Sequence, residues 1–155
     1  MTRNPQERAC RLLATGFGTG FLSPAPGTWG SLLGVALFIP LLAPLDWKWQ
    51  LAASVGLTVL GTIAAEIAAP ELGENDPTVV VVDEWAAMWL SMVAIQDATG
   101  WMLSFFLFRT FDILKPFPAR RFERLHGGVG IMADDVVAAG YTQVTVHAIR
   151  LALGI

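Results

Sequence analysis

The chain has 155 residues, 54% of them hydrophobic and only 15% charged, with a formal net charge of −3. That length suits one domain around one core. The lack of a basic block argues against a nucleic-acid partner. A single cysteine, Cys10, excludes an internal disulfide, and no His–Cys spacing suggests structural zinc.

The mean hydropathy of +0.56 is high for a soluble protein and modest for a bundle of long membrane spans. In chain order, residues 6–15 can form a short helix. Gly and Pro interrupt the apolar stretch after Arg11 too early for a signal-peptide layout. Residues 16–30 read as a loop, since Pro24 and Pro26 prevent continuous helix. Thr28 is placed to cap a helix from about Trp29 to Leu42. Asp46-Trp47-Lys48 reads as a turn, followed by a helix from about 49 to 69 rich in Ala, Gly and Ser. This is the one segment close to the roughly 20 apolar residues that span a bilayer.

Residues 71–78 form an acidic loop. Val79–Val82 are β-branched, but nothing else in the chain pairs as a sheet, so they read as the entry to a helix. Short apolar helices are expected over 85–95 and 101–114, then polar turns over 120–125 and a last helix from near Gly130 to about Leu153. The fold class is all-α: a compact helical bundle, associated with a membrane or partly embedded in it.

Acids recur in this apolar chain. Asp83-Glu84 and Asp134-Asp135 are adjacent pairs, and Asp112 lies inside an apolar helix. Such charges need neutralising, and a shared divalent-metal site is the simplest common reading. Asp83 and Glu84 point about 100° apart on a helix, so both reach one centre only from a helix start or a cluster. The plain alternative for both pairs is a helix N-terminus favoured by the dipole. Arg109 and Asp112 share a helix face and suit an ion pair. Pro116 holds Lys115 at a helix end, from which it can enter a pocket. Free backbone N–H groups near Thr28, and the glycines of Gly127-Gly128-Val129-Gly130, suit phosphate. His126 reads more simply as a loop residue than as a proton donor.

Four segments together resemble the phosphatidylglycerophosphatase A family. They are Pro26-Gly27-Thr28-Trp29-Gly30-Ser31; Asp76-Pro77 with Val82-Asp83-Glu84; Phe111-Asp112-Ile113-Leu114-Lys115-Pro116-Phe117-Pro118; and Gly127 through Asp135. In order, they cover the chain from about Gly16 to Gly140. Ala87 stands where the family often has glycine.

The resemblance implies removal of the terminal phosphate of phosphatidylglycerophosphate to give phosphatidylglycerol, with Mg²⁺, at a bacterial inner membrane. Carried across by motif, Asp83, Glu84, Asp112, Asp134, Asp135 and Lys115 are expected to be catalytic. Asp76, Asp83, Glu84, Asp112, Asp134 and Asp135 are the expected metal ligands. Thr28, Lys115, Arg109, Arg120, Gly128 and Gly130 are expected to contact phosphate. The other readings are a phosphatase of a soluble phosphomonoester and a non-enzymatic helical membrane subunit. Arg3, Arg8, Arg11, Lys115, Arg120, Arg121 and Arg124 fall near the active loops, with Lys48 at the opposite turn, which places those loops in the cytoplasm.

Overall fold

The computed structural model describes residues 4–72, 78–122 and 125–154. Seven α-helices run through them: α1 (Pro5–Ala14), α2 (Pro26–Leu41), α3 (Trp47–Ala68), α4 (Val82–Met92), α5 (Ala98–Leu114), α6 (Ala119–Phe122) and α7 (Gly127–Leu153). Short 3₁₀ segments occupy Gly16–Phe21 and Pro70–Leu72, and no strand occurs among the described residues. Val79–Val82 do lead into a helix, α4.

Local chemistry sets the helix starts. Asn4 and Glu7 form a reciprocal capping box at α1, and Pro5 takes a first-turn position that has no N–H to satisfy. The Asp46 carboxylate accepts from Lys48 N–H at 3.0 Å and opens α3. Two expected starts are corrected. Helix α2 begins at Pro26 after a left-handed Ala25, so Thr28 lies inside the first turn and caps nothing. Helix α7 begins at Gly127 rather than Gly130, which makes it 27 residues long. Both α3 and α7 are long and apolar enough to cross a membrane, not the former alone. On α3, Leu51, Val55, Val59 and Ile63 form an exposed apolar ridge at four-residue spacing. Large contiguous apolar surfaces of this kind mark a membrane or partner face.

Helix α4 is the axis of the bundle. It is only 11 residues long, and Val82, Trp85, Ala86, Met88, Trp89 and Met92 are all buried. Helices α2, α3, α5 and α7 pack around it, while α1 lies on α3. The directions alternate, so the starts of α2, α4 and α7 meet the ends of α3 and α5 at one pole.

The opposite pole is tied by polar brackets. Buried Gln50 donates to the Leu42 and Leu45 carbonyls at 3.2 and 3.0 Å and accepts from Ala94 N–H at 2.8 Å. Gln143 donates to the Leu90 and Val93 carbonyls, and Arg150 pairs with Asp97. Gln50→Leu leaves two backbone groups unpaired, the Leu45 carbonyl and the Ala94 N–H, while the Leu42 carbonyl keeps the Leu45 N–H. Each such group costs about 1–3 kcal/mol. A clear drop in thermal midpoint in detergent is expected, with activity at low temperature retained. An unchanged midpoint would show that the bracket is dispensable.

Candidate active site

The first pole holds a cavity of about 520 Å³. Helix α4 contributes Asp83 and Glu84 from its first turn, α7 contributes Asp134 and Asp135, and α5 contributes Arg109 and Asp112 with Lys115 at its end. Pro26 and Gly27 at the start of α2 complete the wall, with His126 at the cap of α7.

Three of these acids share a centre. One carboxylate oxygen from each of Asp83, Glu84 and Asp135 lies within 4.8 Å of the others. Asp83 Oδ1, Glu84 Oε2 and Asp135 Oδ2 are buried and lack any hydrogen-bond partner. Placement at the start of α4 is what lets two adjacent residues serve one centre. Burial, then the neighbouring Glu84 charge, pushes the Asp83 carboxyl well above its ordinary range. Burial raises Glu84 in the same direction. Two unit charges at about 5 Å repel by roughly 3 kcal/mol at an effective dielectric of 20. Three clustered carboxylates, each with a buried oxygen that has no partner, therefore want a cation, and a set of oxygen donors suits a hard one.

The other acids are engaged. Asp112 pairs with Arg109 at 2.8 Å, as its spacing suggested, and its carboxyl also reaches Asp135. Asp134 pairs with Lys115 at 2.7 Å. Lys115 takes a left-handed conformation, since Pro116 disfavours continued helix, and so turns toward α7. Five acidic and two basic side chains line the cavity, an excess of three acids.

Asp134 and Asp135 lie in the interior of α7, so a first-turn dipole role for them is excluded. The phosphate-contact expectations divide. Arg109, Lys115 and Gly130 line the cavity, whereas Thr28, Arg120 and Gly128 are not among its described lining residues. Arg120 is exposed on α6. The Gly128 N–H donates to the Glu66 carboxylate, which occupies the start of α7. The glycines there serve packing: a Cβ at Gly128 would overlap the Thr62 carbonyl, and one at Gly130 the Leu125 carbonyl. Asp76 lies outside the described residues.

Sequence reasoning missed two features. Nothing in the spacing signals the Lys115–Asp134 pair or the Glu66 cap, because both join helices distant in sequence. Gly27 was visible as a motif glycine, and its role is steric: a Cβ there would strike Glu84 Oε1 and come to 3.2 Å from Arg109 Nη1. The obstruction meets flexible side-chain ends, so Gly27→Ala is expected to fold with little loss of stability. It displaces Glu84 from the shared centre, and turnover should fall at least about tenfold, as when metal-site geometry is disturbed. Wild-type turnover in this variant would remove Glu84 from the centre.

A family model described as phosphatidylglycerophosphatase A matches residues 12–150. A phosphatidylglycerophosphatase A of Haemophilus influenzae is 44% identical over 142 residues, covering 90% of this chain and 87% of the relative. One of Escherichia coli (strain K12) is 37% identical over 131 residues, covering 82% and 75%. A Bacteroides thetaiotaomicron protein, provisionally named a phosphatidylinositol-3-phosphatase, is 41% identical over 150 residues, covering 92% and 94%. No solved structure matches the chain. With the family model spanning α2 to α7 and these relatives aligned along most of its length, the chain belongs to the phosphatidylglycerophosphatase A family and is a phosphatase.

Proposed function

We propose that this chain hydrolyses the terminal phosphomonoester of phosphatidylglycerophosphate, giving phosphatidylglycerol and phosphate, with Mg²⁺ and at the cytoplasmic face of a bacterial inner membrane. The observation that carries this reading is the trio of buried, unpartnered oxygens on Asp83, Glu84 and Asp135. An anionic phosphomonoester does not enter a cavity with five acids and two bases unless a cation offsets the charge.

Asp83, Glu84 and Asp135 would hold that ion, with Asp112 beside them. When bound, Mg²⁺ supplies charge neutralisation at phosphoryl oxygens and acidifies a water molecule. Arg109 and Lys115 line the same cavity from α5, and their charge favours the transferring phosphoryl group. Asp112 and Asp134 orient those two cations through their ion pairs. A carboxylate of the cluster is within the same space to take the proton of attacking water.

The membrane setting is supported by α3 and α7. The cytoplasmic orientation is supported by Lys115 at the cavity and by the basic residues Arg8, Arg11, Arg120 and Arg121 in the segments that lead to it in sequence. The other pole carries Arg150 as well as Lys48, but Asp97 offsets Arg150.

A second lipid, a 3-phosphorylated phosphoinositide, is favoured by the Bacteroides relative's name alone. The test is phosphate release by the purified chain from phosphatidylglycerophosphate, phosphatidylinositol 3-phosphate and glycerol 3-phosphate. The first is expected to give kcat/KM at least about tenfold above the others, because remote binding energy from the lipid contributes to the transition state. Preference for the inositol lipid would reassign the headgroup, and equal rates for lipid and glycerol 3-phosphate would reject a lipid phosphatase.

A further inference from the structure

A second hollow adjoins the polar cavity and has the opposite character. Leu32, Val35 and Ile39 on α2 face Trp101, Phe105 and Phe106 on α5 across a wholly apolar groove of about 360 Å³. The helical repeat links it to the site. On α2, Gly27, Ser31, Val35 and Ile39 fall on one face at four-residue spacing. On α5, Trp101, Phe105, Arg109 and Asp112 do the same at spacings of three and four. Gly27, Arg109 and Asp112 line the polar cavity, while Val35, Ile39, Trp101 and Phe105 line the groove. Between them, Arg109 Nη1 approaches Ser31 Oγ at 3.5 Å and joins the two helices.

The same two helices therefore line both hollows, with the Arg109–Ser31 contact between them. The groove runs along α2 and α5 toward the opposite pole, past Trp101 and Ile39. Leu32 and Phe106 on its edges remain exposed, at 40% and 62%. A wholly apolar hollow between two helices fits a linear alkyl chain. Its direction is that of a chain hanging from a headgroup fixed at the active pole.

We propose that this groove holds one acyl chain of the lipid whose phosphate is hydrolysed in the adjoining cavity. The assignment rests on the reading of that cavity as a lipid-phosphate site. It makes α2 and α5 a shared ruler: one end of each fixes the phosphomonoester and the remainder fixes the chain. Discrimination between lipid and short-chain esters then resides in the groove, remote from the reacting atoms.

The test fills the groove in the full-length chain. Val35→Trp is assayed on dioleoyl and dihexanoyl phosphatidylglycerophosphate, beside the controls Val59→Trp and Val144→Trp on exposed faces of α3 and α7. Val35→Trp is expected to raise the dihexanoyl-to-dioleoyl ratio of kcat/KM about tenfold, mainly through KM for the long-chain ester. The controls are expected to leave that ratio unchanged. An unchanged ratio in Val35→Trp overturns the proposal.

A second measurement is independent of turnover and of that variant's folding. Wild-type protein is photolabelled with dioleoyl phosphatidylglycerophosphate carrying a mid-chain diazirine. Adducts concentrated on α2 and α5, and displaced by unlabelled dioleoyl lipid, support the groove. Adducts spread over α3 and α7, or resistant to displacement, overturn it. If wild type releases no phosphate from either ester, the phosphatidylglycerophosphatase reading fails on that result, and the labelling pattern still decides the groove.

Discussion

Asp135→Asn is expected to lower turnover at least about a hundredfold, the upper end of losses seen when even outer partners of a metal site are removed. The same change is expected to raise the thermal midpoint of the protein in EDTA. Asp135 is buried, with one oxygen unpartnered and the other carboxyls of the cluster close by. Without a cation, its negative charge costs stability through burial and like-charge repulsion, and the amide removes that charge at nearly constant volume. Loss of activity with gain of metal-free stability is the signature of a residue placed for chemistry. Asp134→Asn behaves differently. It takes the carboxylate from Lys115, so both activity and stability should fall. Phosphate release and circular-dichroism melts check both variants. A destabilised Asp135→Asn protein with normal turnover at low Mg²⁺ would make that acid structural.

The second large effect concerns the ion. Chelation is expected to reduce turnover by at least about a thousandfold, because both charge neutralisation and water activation are lost together. Restoring Mg²⁺ should recover the rate. Mg²⁺ should also stabilise the wild-type fold, by about 2.7 kcal/mol when free ion is a hundred times its dissociation constant. The triple variant Asp83→Asn, Glu84→Gln, Asp135→Asn should show no such rise. A rise of equal size in that variant would place the ion elsewhere. Full turnover in EDTA would remove the ion from the reaction.

The acids were legible because an apolar chain has few reasons to hold them, and the motifs fixed which ones belong together. Their convergence followed from the need to neutralise acids recurring in an apolar chain, and Asp83 and Glu84 can share a centre because they lie in the first turn of α4. Helix boundaries around glycine and proline were less so. Pro26 reads as a breaker, yet a left-handed Ala25 before it lets it occupy the first helical turn. Gly127–Gly130 read as a ligand-binding loop by propensity. They open α7 instead, with Gly127 at φ +69 and with Gly128 and Gly130 so close to the Thr62 and Leu125 carbonyls that only glycine fits. Tertiary packing overrides propensity at such positions. Partner choice was hidden for the same reason: Lys115 could have served Asp112 by proximity in sequence, but its left-handed backbone delivers it to Asp134.

The most direct test of the central claim is the position of a bound ion. Anomalous scattering from crystals of the full-length chain grown with Mn²⁺, an oxygen-seeking surrogate for Mg²⁺, gives that position without reference to activity. The expected result is a peak enclosed by the carboxylates of Asp83, Glu84 and Asp135, with Asp112 adjacent and Lys115 still on Asp134. A peak remote from those three side chains, or no peak at saturating Mn²⁺ with the three carboxyls hydrogen-bonded to one another, would contradict it.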